Sequence, residues 1–464
     1  MQRNVAARRA GERTAIIVTD LGFGDAGKGS ITDALVRRHG AGLVVRYNGG
    51  AQAAHAVVTD DGREHVFHQF GSGTFVVGVE TFLSRFMLVN PLALFWEERQ
   101  LRGAGVTDAW GRLYVDDDAL VTTPYHVAAN RLREWTRGDG RHGSCGLGIG
   151  ETAADALEHP ARVPRVRDLR DPVGLREKLL WHRGLKRAQM AEVIAKARAV
   201  GDGLPREIAG ALAELSDDEE FEAALEVSLT VGGLLNVTGP GFLGERLSVP
   251  GATVFEGAQG VLLDEWRGFH PYTTWSTTTP DNARTLLAEA GFGGTITTLG
   301  LLRAYMTRHG AGPFPTEDAG LTERIPDRHN GMNPWQRAFR VGWLDLVALR
   351  YALAVSGGVD ALAVTCLDRL EGEPTWRVCD GYRAPDGTVL RDLAPGPEQD
   401  LAYQERLTEL LTDATPIHRD LHPDPGALVD AIAAAIGVPV GVTSYGPTAA
   451  DKRFAPPWAA RFDS

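Results

Sequence analysis

The run Gly22-Phe23-Gly24-Asp25-Ala26-Gly27-Lys28-Gly29-Ser30 is the first place where residue types and spacing could do chemistry. It follows an apolar stretch at 14–19 and precedes Ile31, Leu35 and Val36, which share one helical face. Between a strand and a helix, glycines let backbone N–H groups approach phosphate oxygens. The helix N-terminus favours the anion, and a lysine neutralises it. The order fits G-x-x-x-x-G-K-[ST] except at position 29, where Gly replaces the hydroxyl residue that holds Mg²⁺. Asp25 offers a carboxylate instead. Beside a nucleoside triphosphate a carboxylate is repelled unless a metal lies between them or it acts as a base. An ordinary glycine-rich turn is the plainer alternative. Downstream, Tyr47-Asn48-Gly49-Gly50-Ala51-Gln52-Ala53-Ala54-His55 adds amides and a histidine. Taken alone, that histidine reads as a structural or surface residue.

These groups need a scaffold. Short apolar runs recur at Leu43-Val44-Val45-Arg46-Tyr47, Phe86-Met87-Leu88-Val89, Ala252-Thr253-Val254-Phe255, Thr295-Ile296-Thr297-Thr298 and Ala361-Leu362-Ala363-Val364-Thr365. Most run into loops rich in Gly, Asn, Asp or Pro, and helical patterns lie between them, as at 346–355. Continuous apolar strands alternating with helices predict an α/β fold, a large mostly parallel central sheet flanked by helices. Ligands of such sheets bind at the carboxyl ends of the strands, where the unusual loops fall. The charged, Ala/Leu-rich stretch at about 175–230 predicts a helical insertion within one domain spanning 1–464. Residues 1–13 are expected to form a solvated tail.

Composition narrows the class. Lys+Arg number 48 and Asp+Glu 60, so the formal charge is 48 − 60 = −12. That balance argues against bulk nucleic-acid binding, which needs a basic surface. No apolar run is long enough to span a bilayer, and the basic N-terminus lacks the apolar core of a signal peptide. Cys145, Cys366 and Cys379 show no metal-ligand spacing, which fits the reducing cytoplasm.

With the loops in hand, the chain resembles the adenylosuccinate synthetase family. Gly24-Asp25-Ala26-Gly27-Lys28-Gly29-Ser30 resembles the family's G-D-E-G-K-G-K, and Tyr47 through His55 resembles Y-x-G-G-x-N-A-G-H. Phe255-Glu256-Gly257-Ala258-Gln259-Gly260 with Leu263-Asp264 resembles F-E-G-A-Q-G-x-x-L-D. Thr307-Arg308 with Gly312-Pro313-Phe314-Pro315-Thr316-Glu317 resembles T-R-x-G-x-G-P-F-P-T-E. Gly342-Trp343-Leu344-Asp345, Thr365-Cys366-Leu367-Asp368 and Ser444-Tyr445-Gly446-Pro447 resemble G-W-L-D, T-K-L-D and S-x-G-P. Each motif is weak alone, but together they span nearly the whole chain in the family's order.

The resemblance implies a fold with a P-loop-like GTP site and a two-step ligation. Asp25 removes the N1 proton of a 6-oxopurine nucleotide such as IMP, whose 6-oxygen attacks the γ-phosphate of GTP. His55 donates to that phosphate, Lys28 balances charge, and Asp25 with the Ala54 carbonyl contacts Mg²⁺. An amine then displaces phosphate. GTP is held by residues 24–30, with Gly24, Ala26, Gly27, Gly29 and Ser30 beside Asp25 and Lys28. Its base is read by Asp368, whose carboxylate accepts from N1–H and the exocyclic amine of guanine, and by Ser444, Gly446 and Pro447. Cys366 replaces a lysine that lies along the base. Asn48, Gln52, Cys145, Gln259, Thr274 and Arg337 match positions near the acceptor, Gln259 also being assigned to catalysis. Arg162 matches an arginine that the neighbouring subunit contributes, which implies a homodimer.

The match fails at the amino-donor subsite. The family reads approximately G-x-T-T-G-R-x-R-R before G-W-L-D, where this chain has Met332-Asn333-Pro334-Trp335-Gln336-Arg337-Ala338-Phe339-Arg340. Phe339 replaces one arginine, and Leu147, in Ser144-Cys145-Gly146-Leu147-Gly148, replaces another. A bidentate arginine–carboxylate contact is strong and geometrically specific. The expectation is therefore that the chemistry and GTP use persist while the donor is a less acidic amine than aspartate. An ordinary adenylosuccinate synthetase with a reorganised loop is the alternative. Two further classes are weaker. A GTP switch wants Ser or Thr at position 29. A dinucleotide oxidoreductase would use Gly22-Phe23-Gly24-Asp25-Ala26-Gly27 as G-x-G-x-x-G, but Lys28 suits a triphosphate better.

Overall fold

Ala15, Ile16, Ile17 and Val18 are wholly shielded from solvent, and their strand, β1 (Arg13–Asp20), stands inside a ten-stranded sheet. The computed structural model describes residues 12–456, apart from 328–329, 331–334 and 337–338. The other strands are β2 (Leu43–Arg46), β3 (Glu80–Leu83), β4 (Leu113–Asp116), β5 (Asn236–Thr238), β6 (Gly251–Glu256), β7 (Thr295–Arg303), β8 (Ala361–Thr365), β9 (Val440–Ser444) and β10 (Lys452–Phe454). Their order is β10–β9–β8–β7–β1–β6–β2–β3–β4–β5. Every pairing is parallel except that of β9 with the edge strand β10. Parallel strands covered on both faces require apolar runs, and β1 and β8 have them.

Two expectations need correction. Arg13 pairs with Gly251, so it belongs to the sheet and not to the tail. The first helix is α1 (Lys28–His39). The apolar run Phe86-Met87-Leu88-Val89 is not a strand of the main sheet. Leu88–Val89 forms a small side ladder with Leu120–Val121, and the sheet takes Glu80–Leu83 instead. That strand begins with two polar residues, so apolar continuity does not mark it.

The helices that bear on the site are α2 (Pro124–Arg137) and α3 (Ile149–Glu158), then α4 (Pro172–Gln189), α5 (Ala191–Val200), α6 (Arg206–Ser216) and α7 (Asp218–Leu234). Helices α4–α7 occupy 172–234 and share one apolar core with α2 and strands β3 and β4, through Leu132, Leu179, Leu215, Leu83 and Val115. Helix α8 (Leu346–Val355) follows Asp345, whose carboxylate accepts from the N–H groups of Val347 and Ala348. Strands Met306–His309 and Phe339–Gly342 form an antiparallel pair, with His309 opposite Phe339.

Candidate active site

The phosphate loop leaves the end of β1 and is folded by Asp20. Its carboxylate accepts from the backbone N–H of Gly22 and Ala26, each at 2.9 Å, and from Lys28 Nζ at 2.7 Å. Lys28 is thereby held at the first turn of α1 beside the loop's backbone. Gly29 has a steric reason. A Cβ there would lie 2.8 Å from the carbonyl oxygen of Ala56 and 2.8 Å from the carbonyl carbon of His55. The short strand that carries His55 (His55–Val58) crosses against α1 where the hydroxyl residue would stand. Ser30 follows, its hydroxyl donating to the Gly27 carbonyl at 3.2 Å.

Asp25 adopts a positive φ of 61°, and its carboxylate meets His309 Nε2 at 3.3 Å. Burial opposes its charge, yet His309, Arg303 and Lys28 hold its carboxyl down at about 2. His309 is raised in turn. Burial disfavours its charge, but Asp25, Asn330 and Asp327 outweigh that. Behind it, the Phe339 ring lies 4.8 Å from the His309 ring. His309 occupies a position that the motif leaves open, so sequence reasoning missed it.

His55 is buried, and its Nδ1 lies 2.7 Å from Glu256 Oε1 at the end of β6. Glu256 also accepts from the Ser72 N–H at 3.0 Å and from the Ser72 hydroxyl. Burial works to raise the Glu256 pKa, but Arg46, His55 and Ser72 together lower it. Burial depresses His55 to about 4, against the pull of Glu256. The resting pair is thus a neutral imidazole donating to a carboxylate, which leaves Nε2 for another partner.

The loop after β6 closes on the phosphate loop, where Leu262 N donates to the Gly22 carbonyl at 3.0 Å. Gln259 stands there at φ 58°, its side-chain oxygen buried without a hydrogen-bond partner. Gln52 is similar, with both amide atoms buried and unpartnered. Such orphaned amides suit a site awaiting a polar ligand. Asn48 differs. It is fully buried and exchanges two hydrogen bonds with the Ala258 backbone at 3.0 and 2.7 Å, so it braces the loop. Thr274 is half-buried, its N–H on the Leu263 carbonyl. The Ile149 side chain reaches Gly50, and Trp275 lies against Gly150, so α3 borders the loop that carries Gln52.

At the end of β8, the Thr365 hydroxyl donates to the Ala26 carbonyl at 3.0 Å, which sets the turn containing Cys366 and Asp368 against the phosphate loop. Cys366 holds a positive φ of 58°, and Asp368 is exposed. Ser444 donates to the Gly446 carbonyl, which also receives Lys452 Nζ, while Pro447 is exposed. Arg162 stands apart on the surface after α3, its guanidinium 5.0 Å from the Trp181 ring.

The expected donor loop lies partly outside the described residues, which include neither Asn333 nor Arg337. Trp335 is 8% exposed and packs on Gly146, next to Leu147 and Cys145. Arg131 secures this contact, donating to the Gly146 carbonyl at 3.2 Å with its guanidinium 5.8 Å from the indole. Gln336 is half-buried, its carbonyl near Gly310.

The Asp25 carboxylate offers a hard oxygen of the kind Mg²⁺ takes, and residue Ala54 is exposed. Because the His55 backbone bars a hydroxyl residue from position 29, Asp25 is the carboxylate available within the loop. Elsewhere, His126, Asp155 and His182 bring ligand atoms within 4.8 Å of one another. That trio fits a brace better than a cation. His126 Nδ1 accepts from the Thr123 N–H at 3.0 Å, so its proton belongs on Nε2, 3.2 Å from Asp155. His182 Nε2 and Lys186 Nζ also meet Asp155, at 2.9 and 2.8 Å.

Residues 17–452 match the family model described as adenylosuccinate synthetase. An adenylosuccinate synthetase of Neisseria meningitidis serogroup C (strain 053442) is 32% identical over 446 residues, 93% of this chain and 96% of its own. One from Anaeromyxobacter sp. (strain K) is 34% identical over 388 residues, 82% of this chain and 83% of its own. Among solved structures, the fully ligated adenylosuccinate synthetase of Plasmodium falciparum shares the fold with a TM-score of 0.74 at 20% identity, covering 96% of this chain and 100% of that one. The cyanophage S-2L succinoaminodeoxyadenylate synthetase, bound to dGMP and dATP as an energy donor, gives a TM-score of 0.59 at 16% identity, covering 98% and 100%.

Proposed function

The chain belongs to the adenylosuccinate synthetase family of GTP-dependent C–N ligases, and from that premise we propose that it aminates a 6-oxopurine nucleotide with a donor other than aspartate. Asp25 takes the N1 proton of the acceptor, and the 6-oxygen attacks the γ-phosphate of GTP. Lys28 and His55 meet the charge that develops on the transferring group. A carbonyl-type oxygen is a poor leaving group, and phosphorylation makes it a good one. The rest is positioning and charge stabilisation. Asp25 and Ala54 would hold Mg²⁺, which when bound neutralises charge on the phosphate oxygens. Gln52 and Gln259 would spend their unpartnered amides on the acceptor. Asp368, Ser444 and Gly446 would read guanine. A homodimer would let exposed Arg162 serve the neighbouring subunit's acceptor.

The observation that carries the altered donor is the contact of Trp335 with Gly146 beside Leu147. Trp335 stands in one of the family's donor motifs and Gly146 in the other, so the two altered segments touch. The reading with aspartate as donor draws on the 32% identity over 93% of the chain. Incubation with Mg²⁺, GTP and IMP, with and without aspartate, followed by mass spectrometry, separates the two. The expected result is GTP binding with no aspartate adduct. Adenylosuccinate formed at a rate typical of an enzyme, about 1 s⁻¹ or more, would sink the altered donor.

A further inference from the structure

The hairpin at the edge of the sheet gathers its polar groups on one carbonyl. Strand β10 runs antiparallel to β9 with Lys452 opposite Ser444. Between them the Gly446 carbonyl accepts from the Ser444 hydroxyl at 3.2 Å and from Lys452 Nζ at 2.7 Å. A carbonyl oxygen has two lone pairs, and here both are taken. The rest of the hairpin is tied by Asp451, whose carboxylate accepts from the Thr448 N–H at 2.8 Å and whose carbonyl accepts from the Tyr445 N–H at 3.1 Å.

Lys452 is 7% exposed, and among the described residues it forms no ion pair. A buried ammonium met by a single neutral carbonyl is a costly arrangement. It also leaves two of an ammonium's three donors for another partner. Burial pulls the Lys452 pKa down to about 8, while Asp451, Cys366, Asp33 and Asp368 support its charge. These groups belong to three elements. Asp33 is in α1, Asp451 in the hairpin, and Cys366 and Asp368 in the turn after β8. That turn is set against the phosphate loop through Thr365 and Ala26.

Resting on the reading that Asp368, Ser444 and Gly446 hold the base of the triphosphate, we propose that Lys452 selects that base at its 6-position. The ammonium donates to the 6-oxygen of guanine, at the end of the base edge away from the 2-amine that Asp368 takes. Adenine sets a 6-amine against the same ammonium, donor facing donor, and the saturated Gly446 carbonyl cannot accept in its place. Selection comes from refusing adenine as well as from holding guanine.

The test titrates the whole protein, with Mg²⁺, by calorimetry against GTP, ATP and the riboside triphosphates of 2-aminopurine and 2,6-diaminopurine. The last two differ only by a 6-amine, so they isolate Lys452 from Asp368. The wild type should bind GTP best, and 2-aminopurine more tightly than 2,6-diaminopurine. Lys452→Met should weaken GTP binding about 10- to 150-fold, as loss of a hydrogen bond to a charged group does. It should leave 2-aminopurine nearly unchanged and erase the difference between the two analogues. Equal weakening of all four ligands, or of none, would make Lys452 a support of the hairpin and overturn the assignment. In the wild type, 2,6-diaminopurine binding as tightly as 2-aminopurine would overturn it without any variant, while the guanine reading stands if GTP is still preferred to ATP. A wild type that binds ATP as tightly as GTP would overturn the guanine reading and this inference with it.

Discussion

The indole of Trp335 lies so close to Gly146 that a Cβ at position 146 would stand 2.7 Å from the ring. Gly146 also holds a positive φ of 72°. Gly146→Ala should therefore expel the indole and strain the backbone. Overpacking costs about 1–3 kcal/mol, and the damage should be local. The expected outcome is a raised KM for the amino donor with GTP affinity unchanged. Steady-state kinetics alongside GTP titration checks this, and equal loss of both would show that Trp335 supports the whole fold.

The loop at position 29 gives an opposite kind of prediction. Gly29→Ser restores the nominal phosphate-loop pattern, yet its Cβ would collide with the backbone at His55 and Ala56. Neither neighbour is a flexible side-chain end, so the strand carrying His55 must move. Displacing reacting groups by about 1 Å can cost ~10²-fold in rate. Turnover should fall by at least that order. Retained activity would mean that the two segments separate easily.

Much of this site was legible because its motifs lie at strand ends, where parallel sheets bind ligands. Residues Asp25, Lys28 and His55 and the turn at Asp368 follow β1, β2 and β8 as the alternation of elements predicts. What escaped was pairing across distance. Asp20 folds the loop from inside β1, and nothing in its spacing marks the contact with Lys28. His309 meets Asp25 from far along the chain, through a strand pair that only the tertiary fold aligns with Phe339. Strand β3 escaped because it is polar at one end, while the neighbouring run at 86–89 is continuously apolar. Asn48 is likewise tied to the distant Ala258 backbone, a contact that no spacing marks.

Glu256 should govern what His55 can do. Its carboxylate accepts from Nδ1, and the neutral imidazole then carries only a lone pair on Nε2. To donate to a phosphate oxygen, His55 must gain a proton, and Glu256 supplies the charge that supports it. Glu256→Gln preserves a hydrogen-bonding group but removes that charge. The expected effect is a fall in kcat of roughly 10²-fold or more with little change in the KM for GTP. A fall confined to KM would place His55 in ground-state binding.

Stability should weaken in mild acid through the brace around Asp155. Burial depresses His182 below its ordinary 6.5 and His126 further still, so both stay neutral in the folded protein while the unfolded chain takes up protons. Their contribution is therefore complete above pH 6.5 and declines as pH falls below it. Asp155 is also lowered, and it adds a second loss below its ordinary 3.8. The melting temperature should drop between pH 7 and 5, and His182→Asn should flatten that slope. A melting temperature independent of pH across this interval would remove the brace from the account.

The base-reading role proposed for Asp368 can be reversed by chemistry. Its carboxylate is exposed in the turn after β8, with Arg369 Nε 3.5 Å away. A carboxylate accepts from N1–H and the exocyclic amine of guanine, whereas an asparagine amide can donate to the 2-oxygen that xanthine carries in place of that amine. Asp368→Asn should thus weaken GTP use and raise use of xanthosine triphosphate. Losing a hydrogen bond to a charged group costs about 1.5–3 kcal/mol, or roughly 10- to 150-fold in kcat/KM for GTP. Activity measured with both triphosphates decides the matter. Equal loss with both would make the turn a structural support, and unchanged GTP use would move guanine recognition to Ser444 and Gly446 alone.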